Sequence, residues 1–174
     1  GADRAYSTGH DNVVLKTVLN PGEEVVIPCP YFVEYNFYLD NHQGVPKPVR
    51  TGPGFSLDLD ALDQAISEKT RAVLINSPNN PTGTVYGSLE LEGLARLLRD
   101  HSRKLGRPVY LISDEPYRKI VYDRLEVPSV LDAYAESFVV TSFSKDLSLP
   151  GERIGYAAVN PDASDKAMLA AGMV

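Results

Sequence analysis

The sequence predicts an α/β fold: a three-layer sandwich with a mostly parallel sheet between helices. Short apolar, β-branched blocks alternate with segments of helical spacing, the signature of βαβ units. Each block closes on proline or polar turn residues, which marks a strand end. The 174 residues, 43% hydrophobic and 23% charged, suffice for one soluble domain with a real core.

The elements follow in order. "EEVVIPCP" (23–30) reads as a buried strand stopped by prolines. Leu59, Leu62 and Ile66 recur at helical spacing, with Asp58 or Asp60 as the cap. "RAVLINSP" (71–78) is the next strand, and Leu91, Leu94, Leu98 and Leu105 mark a second helix. "RPVYLISDEP" (107–116), "SFVVTSFS" (137–144) and "RIGYAAVNP" (153–161) complete the strands. "PDASDKAMLAAGMV" (161–174) reads as the start of a further helix.

Charge and composition narrow the function. A net charge of −6 argues against a nucleic-acid partner. No apolar run approaches the roughly 18 residues of a membrane helix, and no signal peptide is visible. Cys29 is the single cysteine, so no internal disulfide forms, which fits a reducing, cytoplasmic compartment. His10, His42 and His101 are scattered and give no metal-ligand pattern, so no metal is expected.

In parallel sheets ligands sit beyond the carboxyl ends of the strands. That rule singles out Pro30-Tyr31-Phe32, Asn76 to Gly83, Asp114 to Tyr117, and Ser142 to Lys145. Each has a plain structural reading. "NSPNNPTG" (76–83) is a cluster of turn formers, Asp114 could cap a helix, Phe32 could pack in a core, and Lys145 could be a surface lysine. Each also has a chemical reading. Asn80, held by Pro78 and Pro81, offers an amide to a ligand. Asp114, partly buried, needs a cationic or N–H partner. Tyr117 offers a phenol on the same side of the turn. Lys145, withdrawn from water, becomes a nucleophile. Ser142 and Arg153 suit a phosphate, and Phe32 can stack on a flat heterocycle.

Taken jointly, an aromatic, Asn80-Pro81-Thr82-Gly83, Asp114-x-x-Tyr117, and Ser142-x-x-Lys145 with Arg153 eight residues on resemble the fold-type I pyridoxal-phosphate enzymes. The chain is most similar to the class I/II aminotransferases, of the aspartate aminotransferase kind, from about Asn12 to Pro161. The resemblance implies pyridoxal 5′-phosphate as cofactor and amino acids and 2-oxo acids as substrates. It implies that Lys145 bonds to the cofactor's aldehyde and later shuttles a proton between Cα and C4′. Asp114 would keep the pyridine nitrogen protonated. Tyr117 and Asn80 would hydrogen-bond the ring's phenolic oxygen, Ser142 and Arg153 would bind the phosphate, and Phe32 would stack on the ring.

Residues 1–160 then form the cofactor-binding large-domain core, and 161–174 the start of a connection to a small domain. Family members have roughly twice this length or more, in two domains, so the chain reads as a fragment of low activity. The substrate-carboxylate arginine and a partner-donated tyrosine would lie outside it. The full-length protein would be a homodimer. The family's phosphate loop falls in "AYSTGHD", with Gly9 as the loop glycine and Ser7 and Thr8 as donors; or in "GADRAY" (1–6), followed by an insertion; or residues 1–11 are foreign or out of register. Rival readings are the aminotransferase-like ligand-sensing domain of a transcription regulator, a C–S lyase or cyclopropane-forming synthase of the same fold, and a penicillin-binding Ser-x-x-Lys enzyme. The last lacks its following motifs.

Overall fold

The computed structural model describes residues 9–174. Six strands form one sheet: β1 (Glu24–Cys29), β2 (Val45–Arg50), β3 (Thr70–Asn76), β4 (Tyr110–Asp114), β5 (Ser137–Ser142) and β6 (Gly155–Val159). Their order is β2-β1-β3-β4-β5-β6, parallel except for β6, which runs antiparallel to β5. The helices are α1 (Gly9–Val18), α2 (Tyr35–Asp40), α3 (Leu59–Ala65), α4 (Ser88–Leu105), α5 (Val130–Ala133), α6 (Phe143–Asp146) and α7 (Lys166–Gly172).

Alternation along the strands feeds two cores, one on each face. On β3, Val73 and Ile75 join Val26, Leu111 and Val139 under α3, α4 and α5. Ala72 and Leu74 join Val25, Ile27, Ile112, Phe138 and Val140 under α1, α2 and α7. Both faces of the sheet are covered, so the central strands are apolar throughout and not alternating in polarity. The layers and the five expected strands agree with the sequence reading; each strand ends one or two residues earlier than expected, and β3 begins one residue sooner.

Local chemistry fixes the helix starts. Of the two caps considered for α3, Asp58 serves: its Oδ1 accepts the Ala61 N–H at 2.9 Å. At α4, Glu90 Oε2 accepts the Gly87 N–H at 2.9 Å, and its Oε1 accepts the Leu57 N–H at 3.0 Å. One carboxylate therefore starts α4 and ties it to the segment before α3. Gly93 lets these helices meet, since a Cβ there would lie 2.5 Å from Leu59 Cδ1.

Strand β2 escapes the sequence reading because "VPKPVR" carries two prolines, which argue against a strand. Val45 donates its N–H to Glu23 O at 2.8 Å. Alternate residues point their N–H groups to opposite sides, so positions 46 and 48 face away from β1. Proline costs no ladder bond there.

Leu94 and Leu89 lie on α4, fully buried and 81% exposed respectively. Leu94→Ala should cost about 2–5 kcal/mol of unfolding free energy. Leu89→Ala should stay within about 0.5 kcal/mol. Urea denaturation of the two variants checks the contrast.

Candidate active site

The parallel strands deliver their carboxyl ends to one edge, and a cavity of about 260 Å³ opens there. It is lined by Phe32 after β1, Asn76 and Asn80 at and after β3, Asp114 and Tyr117 at and after β4, and Ser142 and Lys145 after β5. Six of the seven residues singled out from sequence thus share one space. Arg153 does not line it. Its φ is +55°, and its Nη1 donates to Pro150 O at 3.1 Å, within its own turn.

Asn76 and Asp114 are register partners on β3 and β4. The buried Asn76 amide donates to Asp114 O at 2.8 Å and accepts the Asn80 N–H at 2.5 Å. It therefore fixes the turn after β3 against the end of β4. A second turn bond, from the Gly83 N–H to Asn79 O at 2.8 Å, closes the loop. Asn80 is left with its side chain aimed at Tyr117, whose hydroxyl accepts from Asn80 Nδ2 at 3.5 Å. Two polar tips thus converge on one wall.

Asp114 is buried, as expected, but its partner is a phenol. Tyr35 on α2 donates to Asp114 Oδ2 at 2.6 Å. Burial pushes the Asp114 carboxyl up to about 7; the Tyr35 hydrogen bond opposes this, and the like charge of Glu115 adds to it. Burial, then the charge of Asp114, raises the Tyr35 phenol well above its usual range.

Glu115, next in the chain, has the opposite role. It points away from the cavity, takes Ser113 Oγ–H at 2.9 Å and Arg118 Nη1–H at 2.8 Å. Arg118 also donates to Val127 O at 2.6 Å and Pro128 O at 3.2 Å. This pair, with Glu115 buried and Arg118 partly exposed, anchors the 118–128 loop beside the site.

Two expectations change. Lys145 stands exposed at the cavity mouth and is not withdrawn from water; its ammonium lies 6.0 Å from the centre of the Tyr117 ring. It sits on the four-residue α6, none of whose residues is buried. Ser142 is buried but occupied: its Oγ caps α6 by accepting the Ser144 N–H at 3.2 Å and donates to Ser144 Oγ at 2.8 Å. Phe32 meets Tyr35 edge-on, with ring centres 5.7 Å apart, while lining the cavity. The phosphate-loop readings on residues 1–8 lie outside the described residues; α1 opens at Gly9.

Sequence reasoning missed Tyr35 and Asp11. Tyr35 carried a weak signal, as one of the aromatic residues of "PYFVEY" after β1, where it meets Phe32 edge-on. Asp11 is 2% exposed on α1, lines the cavity, and leaves Oδ1 without a hydrogen-bond partner.

The family model for class I and II aminotransferases matches residues 6–173, and the chain belongs to that family. An aspartate aminotransferase from Bacillus sp. (strain YM-2) is 37% identical over 155 residues, 86% of this chain and 38% of that protein. A probable aspartate aminotransferase of Methanocaldococcus jannaschii is 32% identical over 92% of the chain and 41% of its own length. Among solved structures, an aminotransferase from Eubacterium rectale superposes with a TM-score of 0.94 at 40% identity, over 97% of this chain and 43% of that one. The Thermus thermophilus aspartate aminotransferase crystallised with maleate gives 0.82 at 34% identity, over 97% and 43%. The chain spans about two fifths of the length of these relatives.

Tyr35→Phe removes the donor that steadies the Asp114 carboxylate, so the Asp114 titration should move above about 7. A pH series of carbon-13 spectra on aspartate-labelled protein reads the shift directly. Movement to lower pH would contradict the assigned role of Tyr35.

Proposed function

We propose that this chain carries the cofactor core of a pyridoxal-phosphate-dependent aminotransferase, which moves an amino group between an amino acid and a 2-oxo acid. One observation carries the reading. A buried carboxyl, an amine, a convergent amide–phenol pair and an aromatic ring line a single cavity at the strand ends. The donor set suits a flat, anionic aldehyde with a basic ring nitrogen. Asp114 lies buried with one oxygen aimed by Tyr35, as a partner for a ring N–H requires.

Pyridoxal 5′-phosphate, when bound, supplies an electrophilic carbon for amines and a ring that accepts the electron pair released at a substrate Cα. The residues of this chain have distinct tasks around it. Asp114, ionised, stabilises positive charge on the ring nitrogen. Asn80 and Tyr117 donate to the ring's phenolic oxygen from the wall they share. Phe32 holds one ring face and keeps it dry. Lys145 Nζ would provide the amine for the aldehyde and, when not bonded to it, would carry a proton between the substrate Cα and C4′. Ser142 and Arg153 serve the phosphate, which requires Arg153 to leave the Pro150 carbonyl and Ser142 to share its hydroxyl. The cytoplasm as location and a homodimer as the full-length assembly belong to the same proposal.

The test is to mix the chain with pyridoxal 5′-phosphate, reduce with borohydride and map the labelled peptide. Label should sit on Lys145, and Lys145→Ala should lose it; label on another lysine, with Lys145 free, would sink the assignment. The exposure of Lys145 bears on rate. Single-turnover conversion of amino acids by this chain alone should be slow, because water reaches the amine and orientation worth up to roughly 7–11 kcal/mol in the best cases is not imposed. Rapid formation of pyridoxamine phosphate would overturn that expectation.

A further inference from the structure

Asp11 has no place in the chemistry described so far. It is an acid on a helix, at an almost fully buried position where carboxylates are rare unless paired. Its Oδ1 is buried without a hydrogen-bond partner, and its side chain lines the same cavity as Asp114. An orphaned buried oxygen is costly, and a site that keeps one has either a ligand or a proton for it.

Among the described residues, no cation forms an ion pair with it. The ionisable side chains that line the cavity with it are Glu34, Asp114, Tyr117 and Lys145, and Lys145 is at the exposed mouth. On the elements packed against α1, the titratable residues are Tyr35, Tyr38 and Asp40 on α2, Tyr156 on β6 and Lys166 on α7; β5 contributes none. Lys16, on α1 itself, lies five residues along the helix. Tyr38 donates to Glu34 at 2.7 Å and Tyr35 to Asp114 at 2.6 Å, so those hydroxyl protons are committed elsewhere.

We propose that Asp11 and Asp114 act as a carboxyl pair, which keeps a proton while no cation is bound and releases it to solvent when a protonated ring nitrogen enters, making Asp11 a positioning residue that strengthens the hold on that ring. Two buried carboxylates on one cavity wall cannot both ionise cheaply, so the first proton off leaves the second tightly held. The electrostatics agree: burial first, then the charge of Asp114, raises the Asp11 carboxyl well above its usual range. A bound N–H cation removes the reason to keep the proton. Both acids then ionise, and the cation faces two negative charges in place of one. The proposal rests on the cofactor reading for the identity of the cation, but the pair itself does not.

Two measurements on the whole chain separate these parts. The first uses no ligand. A pair that holds extra protons when folded stabilises the protein at low pH, and that stability is lost as pH rises from about 4 toward and beyond 7. The drop in melting temperature between pH 5 and pH 8 should therefore be clearly smaller in Asp11→Asn, which is isosteric, and in Asp11→Leu than in the native chain. Equal drops would overturn the pair, and using both variants guards against one that folds poorly. The second is calorimetry with pyridoxal 5′-phosphate in two buffers of different ionisation enthalpy. The native chain should release up to about one proton more than Asp11→Asn and bind roughly tenfold more tightly. The same proton count in both would overturn the release step. If neither protein binds pyridoxal 5′-phosphate, the cofactor reading and the release step fall together, and the melting series still decides the pair.

Discussion

One buried side-chain amide holds the site together. Asn76 ends β3 beside Asp114, bonds the main chain of β4 with its NH2 group, and takes the Asn80 N–H on its oxygen. Parallel pairing brings the two strand ends level, but it does not orient the turn that follows. Asn76 does so, because its two hydrogen-bonding ends face different segments. The position of Asn80 relative to Tyr117, and of both relative to Asp114, follows from this one residue. Aspartate there would put an acceptor against the Asp114 carbonyl, and leucine would orphan both partners at about 1–3 kcal/mol each.

The adjacent acids Asp114 and Glu115 show how one strand end serves two purposes. Successive side chains point to opposite faces, so Asp114 enters the cavity while Glu115 enters the other layer. Glu115 meets a guanidinium, and Arg118 offsets part of the cost of its burial. Asp114 meets only a phenol, and its carboxyl stays high. Among the described residues, no cation pairs with Asp114. The charge that satisfies Glu115 is built into the fold, where it secures a loop beside the cavity.

Much of this was legible in the residues. Apolar blocks with polar stops locate β1, β3, β4 and β5, because buried parallel strands need continuous apolar character, and the same pattern locates the antiparallel, less buried β6. The rule that ligands sit at carboxyl ends then picks out Asn80, Asp114, Tyr117 and Lys145 without any contact information. What was not legible depends on tertiary placement. Strand β2 is hidden by prolines whose acceptability depends on which side faces the neighbour. Tyr35 and Asp11 reach Asp114 from helices 79 and 103 residues away in sequence, and no local pattern encodes such a meeting. The exposure of Lys145 and the turn that directs Arg153 onto Pro150 depend on how a short, thinly covered segment settles after β5.

The prolines of β2 have a further consequence. This strand is an outer border of the sheet, and a border strand normally offers a row of free N–H groups to any extended chain that drifts alongside. At positions 46 and 48 that row is missing, and the ring atoms stand where an approaching backbone would dock. The sheet is therefore capped on that flank against growth by strand addition. Pairing of β2 with β2 is disfavoured at these two positions.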